Sequence, residues 1–98
     1  MEVIPTEIPD VKIVVPDIHR DARGYFAETY NAARYEAAGI TARFVQDNES
    51  MSSRGVLRGL HWQAGEHAQA KLVRVVRGAV WDVAVDICLS HVRFRILA

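Results

Sequence analysis

Punctuation constrains this chain more than any other feature. Strand-like segments of five to nine residues follow one another, set off by proline, glycine or aspartate–asparagine, with room for one short helix. Runs of that length suit strands better than helices. Val11–Val15 is β-branched and sits between Pro9-Asp10 and Pro16-Asp17, so it reads as a strand. His19–Gly24 is polar with a closing glycine and reads as a loop, whereas Gly24–Tyr30 alternates aromatic and polar residues like a second strand. Thr41–Gln46 is strand-like again. Strand signals are denser in the second half, where Gly55–Gln63 is followed by Ala70–Arg77 and Ala79–Ile87, with Arg77-Gly78 as a hairpin turn. Strict alternation puts Val80, Asp82, Ala84 and Asp86 on one face of the last run and Trp81, Val83 and Val85 on the other.

The helical stretch is Asn31–Ala38: Asn31 caps it, alanines and Glu36 favour it, and Gly39 is placed to end it. It spans barely two turns and must pack on something to persist. Short strands with one minor helix predict an all-β sandwich or barrel. A length of 98 residues, half of them hydrophobic, predicts a single small domain.

Charge and cysteine content narrow the function classes. Twelve basic and twelve acidic side chains cancel, which removes any general case for nucleic-acid or anionic-membrane binding. Residues 1–50 hold nine acids and five bases (net −4), and residues 51–98 hold three acids and seven bases (net +4). That split suits an anionic small molecule held by the second half; ordinary surface variation produces the same split. Cys88 is the single cysteine, so neither an intrachain disulfide nor a thiol-rich metal site is expected. Met1–Pro5 lacks the basic start and apolar stretch of a signal peptide, and no apolar run is long enough to span a bilayer. The default expectation is a soluble cytoplasmic protein.

Chemistry concentrates in Gly55–Gln63. His61 lies between apolar Leu60 and Trp62, with Arg58 nearby and Lys71 and Arg74 on the next predicted strand. A strand histidine is ordinarily structural. Neighbouring cations, however, favour the neutral imidazole and leave it available as a base. Alternation places His61 with Gly55, Leu57, Gly59 and Gln63 and puts Arg58 on the opposite face. A shared site therefore requires a register break, and Gly59 is where it fits. A metal centre is not expected, because Gln63 occupies the second position of what would be a His-x-His pair, and Glu66 and His67 fall in a predicted turn. Asp82 and Asp86 read as solvated or hydrogen-bonded strand carboxylates, Cys88 as a packed or exposed thiol, and Trp62 and Trp81 as core or pocket wall.

Four blocks, taken in order, resemble a known family: Arg23-Gly24-Tyr25-Phe26 with Glu28; Phe44-Val45-Gln46-Asp47-Asn48; Ser53–Gln63 (SRGVLRGLHWQ); and Lys71-Leu72-Val73-Arg74. It is the dTDP-4-dehydrorhamnose 3,5-epimerases, and the resemblance runs from about Val3 to Ile87. It implies a cupin-like jelly roll, a homodimer, a dTDP-4-keto-6-deoxy sugar as substrate and no cofactor. By resemblance, His61 matches the base that removes the C3 and C5 protons, and Lys71 with Arg58 matches the cations that stabilise the enolate oxygen. Arg23, Glu28, Gln46, Asp47 and Asn48 match nucleotide-sugar contacts.

Members of that family are longer, and two of their functional residues, an orienting aspartate and a proton-returning tyrosine, match nothing up to Ala98. The expectation is a single, partial jelly-roll domain over 1–98, with 88–98 as a tail unlike the family. A one-base shift within codons for His91-Val92-Arg93 can read Thr-Phe-Gly, as the family does, which points to a frameshift. The alternative to an active epimerase is an inactive fragment that binds nucleotide sugar or a full-length subunit.

Overall fold

The computed structural model describes residues 1–88 and the backbone of 95–97. Strand β1 (Glu2–Pro5) pairs antiparallel with β2 (Lys12–Val15), from Glu2 opposite Val15 to Pro5 opposite Lys12. Thr6 organises the loop between them. Its hydroxyl donates toward the Val11 carbonyl at 2.6 Å, lies 2.8 Å from the Ile8 carbonyl, and accepts from the Ile8 N–H at 3.2 Å. Short-range bonding of this kind is what makes threonine a loop former, and it tucks in Ile8, which is 5% exposed. The Met1 ammonium lies 2.6 Å from the Asp17 carboxylate, and this contact holds the Asp17 carboxyl below its usual range.

A second hairpin joins β3 (Ile18–Asp21) to β4 (Gly24–Ala27), from Ile18 opposite Ala27 to Asp21 opposite Gly24. This corrects the loop expected at His19–Gly24: the turn is only Ala22-Arg23. The Asp21 carboxylate accepts the Arg23 N–H at 2.8 Å, and Gly24 takes the rotation with φ +130°. Every residue of β3 is exposed, so His19, Arg20 and Asp21 join a ladder with no cost for burying polar groups.

Helix α1 (Ala32–Ala37) forms where its caps predict it. The Asn31 side chain accepts the Arg34 N–H at 3.1 Å. At the other end the Gly39 N–H donates to the Glu36 carbonyl and the Ile40 N–H to the Tyr35 carbonyl, at 2.9 and 2.8 Å. Those two bonds form a Schellman motif, which needs the left-handed φ of +85° that Gly39 supplies. Tyr35 packs edge-on to Tyr30 with centroids 4.8 Å apart, and Tyr30 meets Phe44 at 5.5 Å. Tyr35 and Ile8 are the buried hydrophobic residues among those described.

The second half departs from its strand signals. Thr41–Gln46, Gly55–Gln63 and Ala70–Arg77 carry no ladder, and Ala79–Ile87 contracts to β5 (Ala84–Asp86), which pairs antiparallel with β6 (Arg95–Leu97). The chain does bend at Val76–Gly78, with Gly78 at φ +87°. Alternation and β-branching report the propensity of one segment, but a strand exists only when a neighbour accepts its hydrogen bonds. These segments find no such neighbour among the described residues. Trp62 and Trp81, expected in the core or a pocket wall, are 70% and 83% exposed. The described residues thus form an all-β arrangement of three two-stranded antiparallel sheets with one α-helix. The expected tail at 88–98 lies, for 89–94 and 98, outside the described residues.

Candidate functional site

Arg23 is set by the β3–β4 turn. Its Nε and Nη2 donate to the same Asp21 oxygen at 3.1 and 2.6 Å, and its side chain is 90% exposed. That pairing lowers the Asp21 carboxyl from its ordinary value and raises the Arg23 guanidinium. The Arg20 guanidinium lies 5.5 Å from the centroid of the Tyr25 ring, its partner across the ladder. An open concavity of about 370 Å³ is lined by residues of this hairpin, Arg23, Tyr25 and Phe26 among them. Glu28 follows β4, where its carboxylate is 3.4 Å from Arg34 of α1. The hairpin and the helix therefore fix two of the five nucleotide-sugar candidates through partners of opposite charge.

The other three lie just beyond the aromatic cluster. Gln46 Nε2 donates to Asn48 Oδ1 at 3.2 Å, and Asp47 between them is exposed. Arg58 is tied back to the preceding loop: Nε donates to Ser52 Oγ at 2.8 Å and Nη2 to the Met51 carbonyl at 3.0 Å. A turn at Arg54-Gly55, with Gly55 at φ +84° and Val56 N–H donating to the Ser53 carbonyl at 3.3 Å, makes that return possible.

His61 and Lys71 are both exposed, and among the described residues no hydrogen bond or ion pair joins either of them to Arg58 or to each other. The backbone at Gly59 departs from strand geometry with φ +135°, but no ladder runs there for a bulge to interrupt. Gly65–His67 is a 3₁₀ turn in which His67 Nε2 lies 3.5 Å from Glu66. Asp86 accepts the Cys88 N–H at 3.0 Å, so it is a hydrogen-bonded strand carboxylate, and Cys88 is exposed. Among the described residues no three His, Cys, Asp or Glu side chains converge to hold a metal ion.

Three partners escape a reading of side-chain chemistry alone: Asp21 for Arg23, Arg34 for Glu28 and Ser52 for Arg58. Only the first carries a local signal, since aspartate two residues before the bonded N–H, with glycine following, is turn chemistry.

Arg23 and Arg58 are each held by local partners, while His61 and Lys71 stand exposed on segments outside the ladders. Residues 5–95 match the model of a family of dTDP-sugar isomerases. The chain belongs to the dTDP-4-dehydrorhamnose 3,5-epimerase family. It is 56% identical over 84 residues to the dTDP-4-dehydrorhamnose 3,5-epimerase of Methanothermobacter thermautotrophicus, covering 86% of this chain and 45% of that protein. Against the Escherichia coli protein of the same name it is 55% identical over 95 residues, 96% of this chain and 51% of the relative. A Streptomyces niveus dTDP-4-dehydrorhamnose 3-epimerase is 43% identical over 88 residues, 89% of this chain and 42% of its own. The chain spans about half the length of the curated relatives it matches. No solved structure gives a significant match.

Proposed function

We propose that the protein is an epimerase of a nucleotide-linked 4-keto-6-deoxy sugar, taking dTDP-4-dehydro-6-deoxyglucose to dTDP-4-dehydrorhamnose in dTDP-rhamnose biosynthesis. The supporting observation is the match over residues 5–95, which spans Arg23, the Gly55–Gln63 segment and Lys71. The C4 carbonyl acidifies the C–H bonds at C3 and C5. His61 takes the C3 proton, the electron pair moves onto the carbonyl oxygen as an enolate, a proton from water is delivered on the opposite face, and the His61 imidazolium gives its proton to solvent. The same sequence at C5 completes the change. Lys71 and Arg58 are the cations that stabilise the enolate oxygen; charge placed in advance is commonly the largest catalytic contribution. Arg23, Glu28, Gln46, Asp47 and Asn48 hold the nucleotide sugar. The reaction balances without a redox partner or metal ion, so no cofactor is assigned. The setting is cytoplasmic, and the chain contributes to a single cupin-like jelly roll that acts as a homodimer.

One observation favours a second reading, in which the chain binds nucleotide sugar without turning it over. His61, Lys71 and Arg58 are exposed and, among the described residues, not bonded to one another, and a catalytic base loses most of its power when nothing holds it in place. Incubating the chain with the 4-keto sugar nucleotide in deuterated water separates the two. Loss of the H3 and H5 proton signals supports the epimerase, and saturable binding with both signals intact supports the second reading. Absence of binding and of exchange refutes both.

A further inference from the structure

Asp21 has no place in the reaction just described, yet it makes three of the contacts that define Arg23. One carboxylate oxygen accepts the Arg23 N–H at 2.8 Å, and the other accepts from Nε at 3.1 Å and Nη2 at 2.6 Å. An arginine carries five N–H donors in a rigid fork. Asp21 uses the side of the fork formed by Nε and Nη2, which leaves both hydrogens of Nη1 and one of Nη2 for other partners at the end of a side chain that is 90% exposed. That end is the geometry that meets a phosphate through two parallel bonds. The carboxylate is itself anchored, because Asp21 closes the β3–β4 ladder opposite Gly24.

We infer that Asp21 is a positioning residue for the nucleotide diphosphate: it pre-orders the Arg23 guanidinium so that its free end presents to the phosphates. The inference rests on Arg23 being a nucleotide-sugar contact. An arginine otherwise loses side-chain freedom on binding, and ordering it beforehand removes that cost. The opposite role for Asp21, a carboxylate that competes with phosphate for Arg23, predicts the reverse sign. The contacts weigh against competition, because the donors taken by Asp21 are on one side of the fork and those left free are on its end. The Asp21 carboxyl stays ionised in this arrangement, since its bonds to the Arg23 side chain and backbone hold it below the usual carboxylate range.

The test uses the 98-residue chain with dTDP as the probe. Asp21→Asn keeps an oxygen for the Arg23 N–H, so the turn persists, but removes the charge that holds the guanidinium. The expected result is dTDP binding weakened by about two- to tenfold, the range for one side chain ordered on binding instead of before it. In an Arg23→Ala background the same substitution has no further effect. By NMR, the Arg23 Nε–H resonance of the unliganded chain moves toward that of a free arginine in Asp21→Asn, while the His19 and Phe26 amides stay in place. Unchanged or tighter dTDP binding by Asp21→Asn overturns the inference but leaves the nucleotide-sugar reading intact. Equal weakening in the Arg23→Ala background overturns it as well. A wild-type chain that does not bind dTDP at all overturns both.

Discussion

Removing the Tyr35 ring tests whether the small aromatic cluster holds the first half together. Tyr35 is 3% exposed, donates its hydroxyl to the Thr29 carbonyl at 2.8 Å, and meets Tyr30 edge-on at 4.8 Å. Tyr35→Phe removes the hydrogen bond alone. A typical net value is about 1 kcal/mol, and Thr29 is only half-buried, so its carbonyl regains water and the loss falls at or below that figure. Tyr35→Ala removes the ring. Loss of a buried aromatic costs about 3–5 kcal/mol, and the lower end applies here because Tyr30 is 40% exposed and free to collapse into the gap. A chain of this size has about 5 kcal/mol of stability at the low end of the usual range. With so little else buried, Tyr35→Ala takes most of it. Urea unfolding followed by near-ultraviolet circular dichroism reads both variants: Tyr35→Phe shifts the midpoint slightly, and Tyr35→Ala abolishes the aromatic signal in water. If Tyr35→Ala keeps the wild-type midpoint and signal, the cluster is not the core of the first half.

The same residue sets an alkaline limit. Burial pushes the Tyr35 phenol up, Tyr30 adds to the rise, and Arg74 opposes it. A phenol raised by folding contributes stability that is complete below its unfolded value, about 10, and is lost as pH climbs from there through the raised one. Near-ultraviolet dichroism is therefore flat up to that point and falls above it, and Tyr35→Phe removes the fall; a fall that survives Tyr35→Phe has another origin. Large apolar side chains from Val45 to Val83 stand exposed, Leu57 and Met51 above 90%. Patches of that extent bind hydrophobic dyes and associate, so 1-anilinonaphthalene-8-sulfonate should brighten with the chain, and a dark, monodisperse solution contradicts the exposure. A frameshift origin for 88–98 predicts that the DNA after codon 87 encodes Thr-Phe-Gly in another frame, and sequencing that shows no such segment in any frame rejects it.

Local signals proved legible where the structure is local. The caps of α1 needed only Asn31 and Gly39, and the run before Pro16 became β2 because Pro5 to Pro16 closes on itself through Thr6. His19–Asp21 misled for the opposite reason: polar residues on a two-sided exposed hairpin give no hydrophobic alternation, and the ladder follows from the Asp21 turn. In the second half the alternation of Val80–Asp86 describes a strand in need of a neighbour, which is long-range information that periodicity does not carry. Type and resemblance nominate the candidate side chains from Arg23 to Lys71, but not what holds them. Their partners Arg34 and Ser52 were not legible, because those contacts depend on where a helix and a loop bring the chain back.

The proposed role of His61 is that of base for carbon-bound protons. Its most direct test is deuterium wash-in at C3 and C5 of the 4-keto sugar nucleotide, wild type against His61→Asn, with dTDP affinity measured on both. The expected result is wash-in by the wild type, background exchange in His61→Asn and the same dTDP affinity in each. Wash-in that persists in His61→Asn, or none in the wild type, contradicts it.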